Sequence, residues 1–200
     1  MLLSTHAQNP YLAIFLSSRV LYYFSSKADQ IVALDSQTGR ILWQRSSTEL
    51  NCFDYGLTWQ TDEQSVYLNC NRYPSSQGQQ SSAIVALSAQ TGQVQWQTLL
   101  SLAQHSRDAP MTIRTGQLLM LDNVNQGKRT QTQVIALDRG TGKILWRFPL
   151  PSNRSWFYNA RLAGTDHQFF VIASVPQWQL WLWQINPHWY LNRAISEEER

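Results

Sequence analysis

Two hundred residues make one or two domains, and a net charge of +3 carried by scattered Lys and Arg leaves no basic stripe for nucleic acid. Charged residues are only 14% and aromatics 12%, so the chain is rich in packing material and poor in solvating charge, as suits stacked β-sheets. The one early apolar stretch, 13–24, is interrupted by Ser17, Ser18 and Arg19 and is too short to span a bilayer.

In chain order, residues 1–9 have no strong assignment and lack the basic start and long apolar core of a secretory signal. A first hairpin is expected over Tyr11–Leu16 and Val20–Phe24, with the turn at Ser17-Ser-Arg19. After a polar connection at 25–30 comes Ile31-Val-Ala-Leu34, a short β-branched run, then Asp35-Ser-Gln-Thr-Gly39, then Ile41-Leu-Trp43. The Asp and Thr side chains can satisfy nearby backbone N–H groups, and Gly39 supplies the positive φ that a bulged hairpin loop needs.

The linker 45–50 leads to a second unit, with strands expected at Asn51–Trp59 and from Ser65 to about Asn71. The Pro, Ser, Gln and Gly cluster at 73–82 reads as a loop. The strand–turn–strand pattern then returns as Ile84–Gln97, IVALSAQTGQVQWQ. A third unit has strands at Met111–Arg114 and Gln117–Leu121, then a polar insertion over Asp122–Thr132. The third copy follows as Val134–Arg147, VIALDRGTGKILWR. Both insertions join the same pair of strands, so they emerge on one rim and nominate a partner-binding edge.

The last unit is degenerate. Hairpins are expected over 156–163 with 168–174, and over 180–185 with 189–194. The Thr-Gly turn gives way to Asn186-Pro-His188, and Trp189 is the candidate to replace the repeated tryptophan. Trp178, Trp181 and Trp183 either cap the array or form an aromatic binding patch, capping being preferred.

Trp43, Trp96 and Trp146 recur at roughly 50-residue intervals, the mark of a repeat architecture. An indole buries its surface only under another layer, and a lone hairpin cannot provide one. Packing between repeats is therefore the favoured role of these rings over ligand stacking.

The spacing Ala-x-Asp-x-x-Thr-Gly-x-x-x-Trp resembles the tryptophan-docking motif of PQQ-like β-propeller repeats. Ala33, Asp35, Thr38, Gly39 and Trp43 match it, as do Ala136, Asp138, Thr141, Gly142 and Trp146. The middle copy keeps Ala86, Thr91, Gly92 and Trp96 but has Ser88 in place of Asp. The resemblance implies an all-β fold, a β-propeller or open propeller arc of about four four-stranded antiparallel blades. These fall at about 10–46, 51–99, 109–149 and 156–194 of a single domain spanning 10–194, with tails at 1–9 and 195–200. It also implies that the motif tryptophan packs between blades, and it implies a bacterial periplasmic or envelope location.

Chemistry is scarce. His6, His105, His167 and His188 are scattered and share no ligand spacing. Asp122, Asn123 and Gly127 hint at a calcium loop, but Val124, Gln126 and Gln133 stand where ligands belong. Cys52 and Cys70 lack zinc spacing. They are expected on neighbouring strands, as a bridge in an oxidising compartment or as two buried thiols, the thiols preferred. Some members of the resembled family are quinoprotein dehydrogenases with adjacent cysteines beside the cofactor, a feature this chain lacks. The expectation is a non-enzymatic scaffold without cofactor or metal that binds a protein partner through its rim loops. An open arc also invites self-association through its unpaired edges. The alternative is a fragment or relative of a PQQ-dependent dehydrogenase.

Overall fold

The structure is a computed structural model, and the residues it describes are 14–25, 28–52, 58–72, 81–100, 110–114, 116–126, 129–150, 158–164, 169–175, 179–186 and 189–195. The fold is an open β-propeller arc of four four-stranded antiparallel sheets, each pairing its strands in sequence order. The first comprises β1 (Ile14–Ser17), β2 (Val20–Ser25), β3 (Gln30–Asp35) and β4 (Ile41–Ser46). The second comprises β5 (Thr58–Thr61), β6 (Ser65–Arg72), β7 (Ser81–Ser88) and β8 (Val94–Leu100). The third comprises β9 (Met111–Arg114), β10 (Gln117–Gln126), β11 (Arg129–Asp138) and β12 (Ile144–Pro149). The fourth comprises β13 (Tyr158–Gly164), β14 (Phe169–Val175), β15 (Gln179–Asn186) and β16 (Trp189–Ile195).

Alternation along the strands divides each sheet into two apolar faces, and these faces meet in three seams. The first seam holds Tyr22, Phe24, Ile31, Ala33 and Trp43 against Val66, Leu68, Val85 and Leu87. The second holds Tyr67, Ile84, Ala86 and Trp96 against Leu118, Met120, Ile135 and Leu137. The third holds Leu119, Val134, Ala136 and Phe148 with Val171, and Trp146 and Leu162 pack on it from the side. β7 and β11 are buried on both faces: Ile84, Val85, Ala86 and Leu87 are each at most 1% exposed, and Val134, Ile135, Ala136 and Leu137 are 0% exposed. This is why these strands read as unbroken apolar runs rather than alternating ones.

Three expectations are corrected. The segment after β4 is not a plain linker: Ser47–Leu50 is a single helical turn, α1. Ser46 caps it by accepting from the Glu49 N–H, and the Glu49 carboxylate returns to the Ser46 N–H, a reciprocal capping box. The strand expected from Asn51 does not start there, since Asn51 is the left-handed C-cap of α1; β5 is Thr58–Thr61, and 53–57 lie outside the described residues. The polar insertion at 122–132 is not a loop: β10 and β11 pair continuously from Gln117↔Asp138 to Gln126↔Arg129. Thr and Val at 124, 130 and 132 have the β-propensity to extend the hairpin although no apolar alternation announces it.

The cysteines are joined: Cys52 and Cys70 form a disulfide with a Cα–Cα distance of 4.9 Å. The preference for free thiols is therefore overturned. Cys52 lies not on a strand but just past α1, where its N–H donates to the Ser47 carbonyl. The bridge ties this exit to β6, and both sulfurs are buried in the first seam.

In the fourth sheet Trp189 pairs with Asn186 at the start of β16. The repeated tryptophans instead pair with the alanine two residues inside the preceding strand, as in Ala33↔Trp43 and Ala86↔Trp96. Counting back from Asn186 in the same way gives Gln184, whose partner is Arg193. Trp189 thus does not occupy the tryptophan register. The loop expected at 73–80 and all four histidines lie outside the described residues.

Candidate functional site: the interblade seams and the projecting hairpin

The fourteen motif residues divide between local turn closure and contact with a neighbouring sheet. In the first turn, Asp35 Oδ1 accepts from the Thr38 N–H at 2.8 Å, the Thr38 hydroxyl at 2.9 Å and the Gln37 N–H at 3.0 Å. In the third, Asp138 Oδ1 accepts from the Thr141 N–H at 2.8 Å and its hydroxyl at 2.7 Å. Both carboxylates are held below their usual range. For Asp35 the Thr38 N–H is the leading cause, and for Asp138 it is the Thr141 hydroxyl. The middle turn has only the Ser88 hydroxyl, which accepts from the Thr91 N–H at 3.3 Å.

The backbone of all three turns is the same. Gly39, Gly92 and Gly142 donate to the carbonyls of Asp35, Ser88 and Asp138, each at 2.8 Å, and all three have positive φ. The next residue along from the Asp or Ser ties back to the opening hairpin of its own sheet. Ser36, Ala89 and Arg139 donate their N–H to Arg19, Gln64 and Gly116 carbonyls.

The contact between sheets is also repeated. Trp43 Nε1 donates to the Ala89 carbonyl at 2.8 Å, and Trp96 Nε1 to the Arg139 carbonyl at 2.9 Å. Each ring lies flat over the glycine of the next turn. A Cβ on Gly92 would stand 2.6 Å from Trp43, and one on Gly142 would stand 2.3 Å from Trp96. The buried indole N–H therefore finds a carbonyl partner only because the glycine lets the ring approach. Ala33 and Ala86 are the cross-strand partners of the two tryptophans, and both are fully buried. Trp146 and Leu162 are half-buried and pack against the third seam.

Several participants were not apparent from the sequence. Two residues beyond each of the first two tryptophans, Arg45 Nε donates to the Gly92 carbonyl at 2.9 Å, and the Thr98 hydroxyl donates to the Gly142 carbonyl at 2.6 Å. Tyr22 and Tyr67 set their rings 5.9 Å from Trp43 and Trp96. Burial, the dominant effect, pushes the Tyr67 phenol up to about 12. Asp62 accepts from the Tyr67 hydroxyl and pairs with Arg139 at 3.2 Å, linking the β5–β6 turn to the third motif turn. Only Arg45 and Thr98 share an offset from tryptophan, and their residue types differ; Tyr22 and Tyr67 are equivalent through pairing with Ala33 and Ala86, which unequal connections hide in the sequence.

The described carboxylates do structural work. Besides Asp35 and Asp138, Asp62 Oδ1 accepts from the Gln64 and Ser65 N–H groups, and Asp122 Oδ2 accepts from Gln133 Nε2 at 3.0 Å. Asp122 is buried within β10, paired across the ladder with Gln133, which is not the geometry of a calcium loop. Among the described residues no three His, Cys, Asp or Glu side chains gather as a metal site. The cysteines are bridged across 18 residues rather than adjacent, so these residues do not fit a quinone–calcium site of the kind the resemblance suggested.

The feature that projects from the sheets is the β10–β11 hairpin. Among the described residues β9 pairs with 117–120 and β12 with 133–137, so 123–126 and 129–131 form a two-stranded arm beyond the four-stranded part of the sheet, with Gln131 Nε2 at its base donating to the Leu150 carbonyl. The strand order places this arm on the rim that also carries the β2–β3, β6–β7 and β14–β15 connections.

A family model described as outer membrane protein assembly factor BamB, of PQQ-like repeats, matches residues 3–129 and 80–174. Among solved structures, the chain is similar to quinohemoprotein alcohol dehydrogenase ADHIIG from Pseudomonas putida HK5, with TM-score 0.58 and 10% identity over 92% of this chain and 34% of that one. It is similar to the quinohemoprotein alcohol dehydrogenase of Comamonas testosteroni, with TM-score 0.58 and 13% identity over 94% of this chain and 36% of that one. It is also similar to the WD40 domain of SCAP from fission yeast, with TM-score 0.53 and 9% identity over 94% and 43%. At these identities the likeness is one of fold, and the chain spans well under two thirds of each of those structures. None of the curated protein sequences matches the chain.

Proposed function

Since the chain belongs to the PQQ-like repeat family described as outer membrane protein assembly factor BamB, we propose that it is a non-catalytic propeller scaffold that engages a protein partner through its rim. The observation that carries this reading is the two-stranded arm of 123–126 and 129–131, which extends past the reach of β9 and β12. An arm of paired backbone presents a firm, low-entropy edge, and ordering cost is a main charge against binding. Around it, the motif carboxylates, glycines and tryptophans are committed to turns and seams, so the rest of the scaffold has the form of a rigid support. The rigid element and the family description together favour a binding role.

The compartment proposed is the oxidising bacterial envelope. The buried Cys52–Cys70 bridge supports it, because such bridges persist outside reducing cytosol. No helix among the described residues is long and apolar enough to cross a membrane.

The test is to replace 123–131 with a two-residue Asn-Gly turn and compare proteins recovered with the two forms from the native cell. The scaffold reading expects an unchanged melting temperature and loss of one specific partner. Retention of every partner would contradict it. The second reading, a relative of a quinoprotein dehydrogenase, draws on the fold shared with two such enzymes. Under it, added PQQ and calcium raise the melting temperature by mass action; under the scaffold reading they do not.

A further inference from the structure

In the first three sheets, the position that opens the turn after the inner strand changes in charge from one sheet to the next. Ser17, Asp62 and Arg114 hold it: Ser17 pairs with Val20, Asp62 donates its N–H to the Ser65 carbonyl, and Arg114 pairs with Gln117. Met111 and Ile113 pack on the second seam, so alternation turns Thr112 and Arg114 to the opposite face, toward the third. Asp62 is fully engaged. It accepts from Gln64, Ser65 and Tyr67 and pairs with Arg139 of the next sheet. Arg114 is not. Its side chain is half-buried, its Nε is shut off from solvent, and no hydrogen bond or ion pair reaches it among the described residues. The carboxylate in the same cross-strand row is Asp138, two strands or about 10 Å away across Gln117. That carboxylate is already committed to Thr141. Between Asp138 and Glu197 the sequence has a single further carboxylate, Asp166, which lies outside the described residues.

We propose that Arg114 is a binding site for a carboxylate presented from outside the chain, where the second seam supplies one from within. A guanidinium stays charged at any physiological pH. Half-buried with an unmet Nε–H, it carries a desolvation penalty that an acceptor removes. A carboxylate fits it side-on, through two parallel N–H donors, and Nε is one of the two such a ligand uses. The second seam already joins these two groups, with the Asp62 carboxylate 3.2 Å from Arg139. The site lies at the end of β9, the strand that neighbours β5 on one side and β13 on the other. It is at the opposite end of β10 from the projecting arm, so it stands or falls independently of the partner-binding rim.

Nitrogen-15 NMR of the arginine Nε–H groups tests it, the Arg114 signal being the one lost in Arg114→Lys. Acetate stands for a small acid, and N-acetyl-aspartate amide for an acidic side chain of a protein. Either is exchanged for chloride at constant ionic strength. The Arg114 Nε–H signal should move to a plateau, with the Gly116 and Gln117 amides following, while the exposed Arg40 shows only a linear drift. A plateau with either acid supports the site, and the lower half-saturation identifies the source of the carboxylate. In Arg114→Lys, which keeps the charge but not the fork, and in Arg114→Gln, the plateau at Gly116 and Gln117 should vanish with circular dichroism unchanged. A wild-type response to both acids no different from that of Arg40 overturns the proposal. So does an Arg114 signal that moves in Asp166→Asn with no acid added, since the charge is then met from within the chain.

Discussion

The turn at Gly39 and the turn at Gly142 have the same hydrogen bonds, the same Asp and Thr, and φ of 71° and 72°. One lies open, and the other receives an indole ring. The motif therefore does two physically separable things. Asp, Thr and the positive φ of glycine close a hairpin locally, with no need of a neighbour. The missing Cβ of the same glycine, and the carbonyl after the Asp, receive the tryptophan of the preceding sheet. At Gly39 only the first requirement is visible; at Gly92 and Gly142 both are.

The comparison is broken most severely by removing an indole. Trp96→Ala should cost about 3–5 kcal/mol, the usual range for a large aromatic in a packed site. Urea unfolding should show it, together with loss of cooperativity between the second and third sheets. Removing the bridge comes next. Replacing Cys52 and Cys70 together with Ala should cost about 2–4 kcal/mol, and reductant should lower the melting temperature of the wild type but not of this variant.

The middle turn sharpens the comparison from the other side. Ser88 offers one longer bond where Asp35 and Asp138 offer two or three. Ser88→Asp should stabilise by about 0.5–1 kcal/mol, read from the denaturation midpoint. The smallest effect is that of acid. Asp35 and Asp138 have folded pKa values lowered by their Thr donors. Their contribution is therefore present above the ordinary carboxylate range and is lost as pH falls through the folded values. Both groups lie in turns at the surface, so the loss is modest. Acid titration of the melting temperature should be shallower in Asp138→Asn than in wild type.

How legible the molecule was depended on where each feature got its stability. The three hairpins were plain because their turns are made by neighbouring side chains, Asp35 with Thr38 and Asp138 with Thr141. The interblade acceptors were implied only by the repeat, since Trp43 finds Ala89 and Trp96 finds Arg139 more than forty residues away. α1 carried a local signature in Ser46-x-x-Glu49 that a reading of 45–50 as a linker passed over. Its presence moved Cys52 off the expected strand, so the bridge, the less favoured of the two readings, joins the exit of α1 to β6 rather than two neighbouring strands. The strands 123–126 and 129–131 carry a run of polar residues with only Val124 apolar, so they lack the apolar alternation that marks a strand in sequence. Trp189 was misplaced because the Asn186-Pro-His turn gives no fixed offset to the register.

The central claim is that glycine in these turns is needed for the neighbour's ring as well as for the hairpin. Urea unfolding of Gly39→Ala and Gly142→Ala, compared side by side, tests it most directly. Gly39→Ala should lose about 1 kcal/mol, the cost of a left-handed alanine alone. Gly142→Ala should lose at least about 1–3 kcal/mol more, because its Cβ meets Trp96 at 2.3 Å. Equal losses in the two variants would contradict the account.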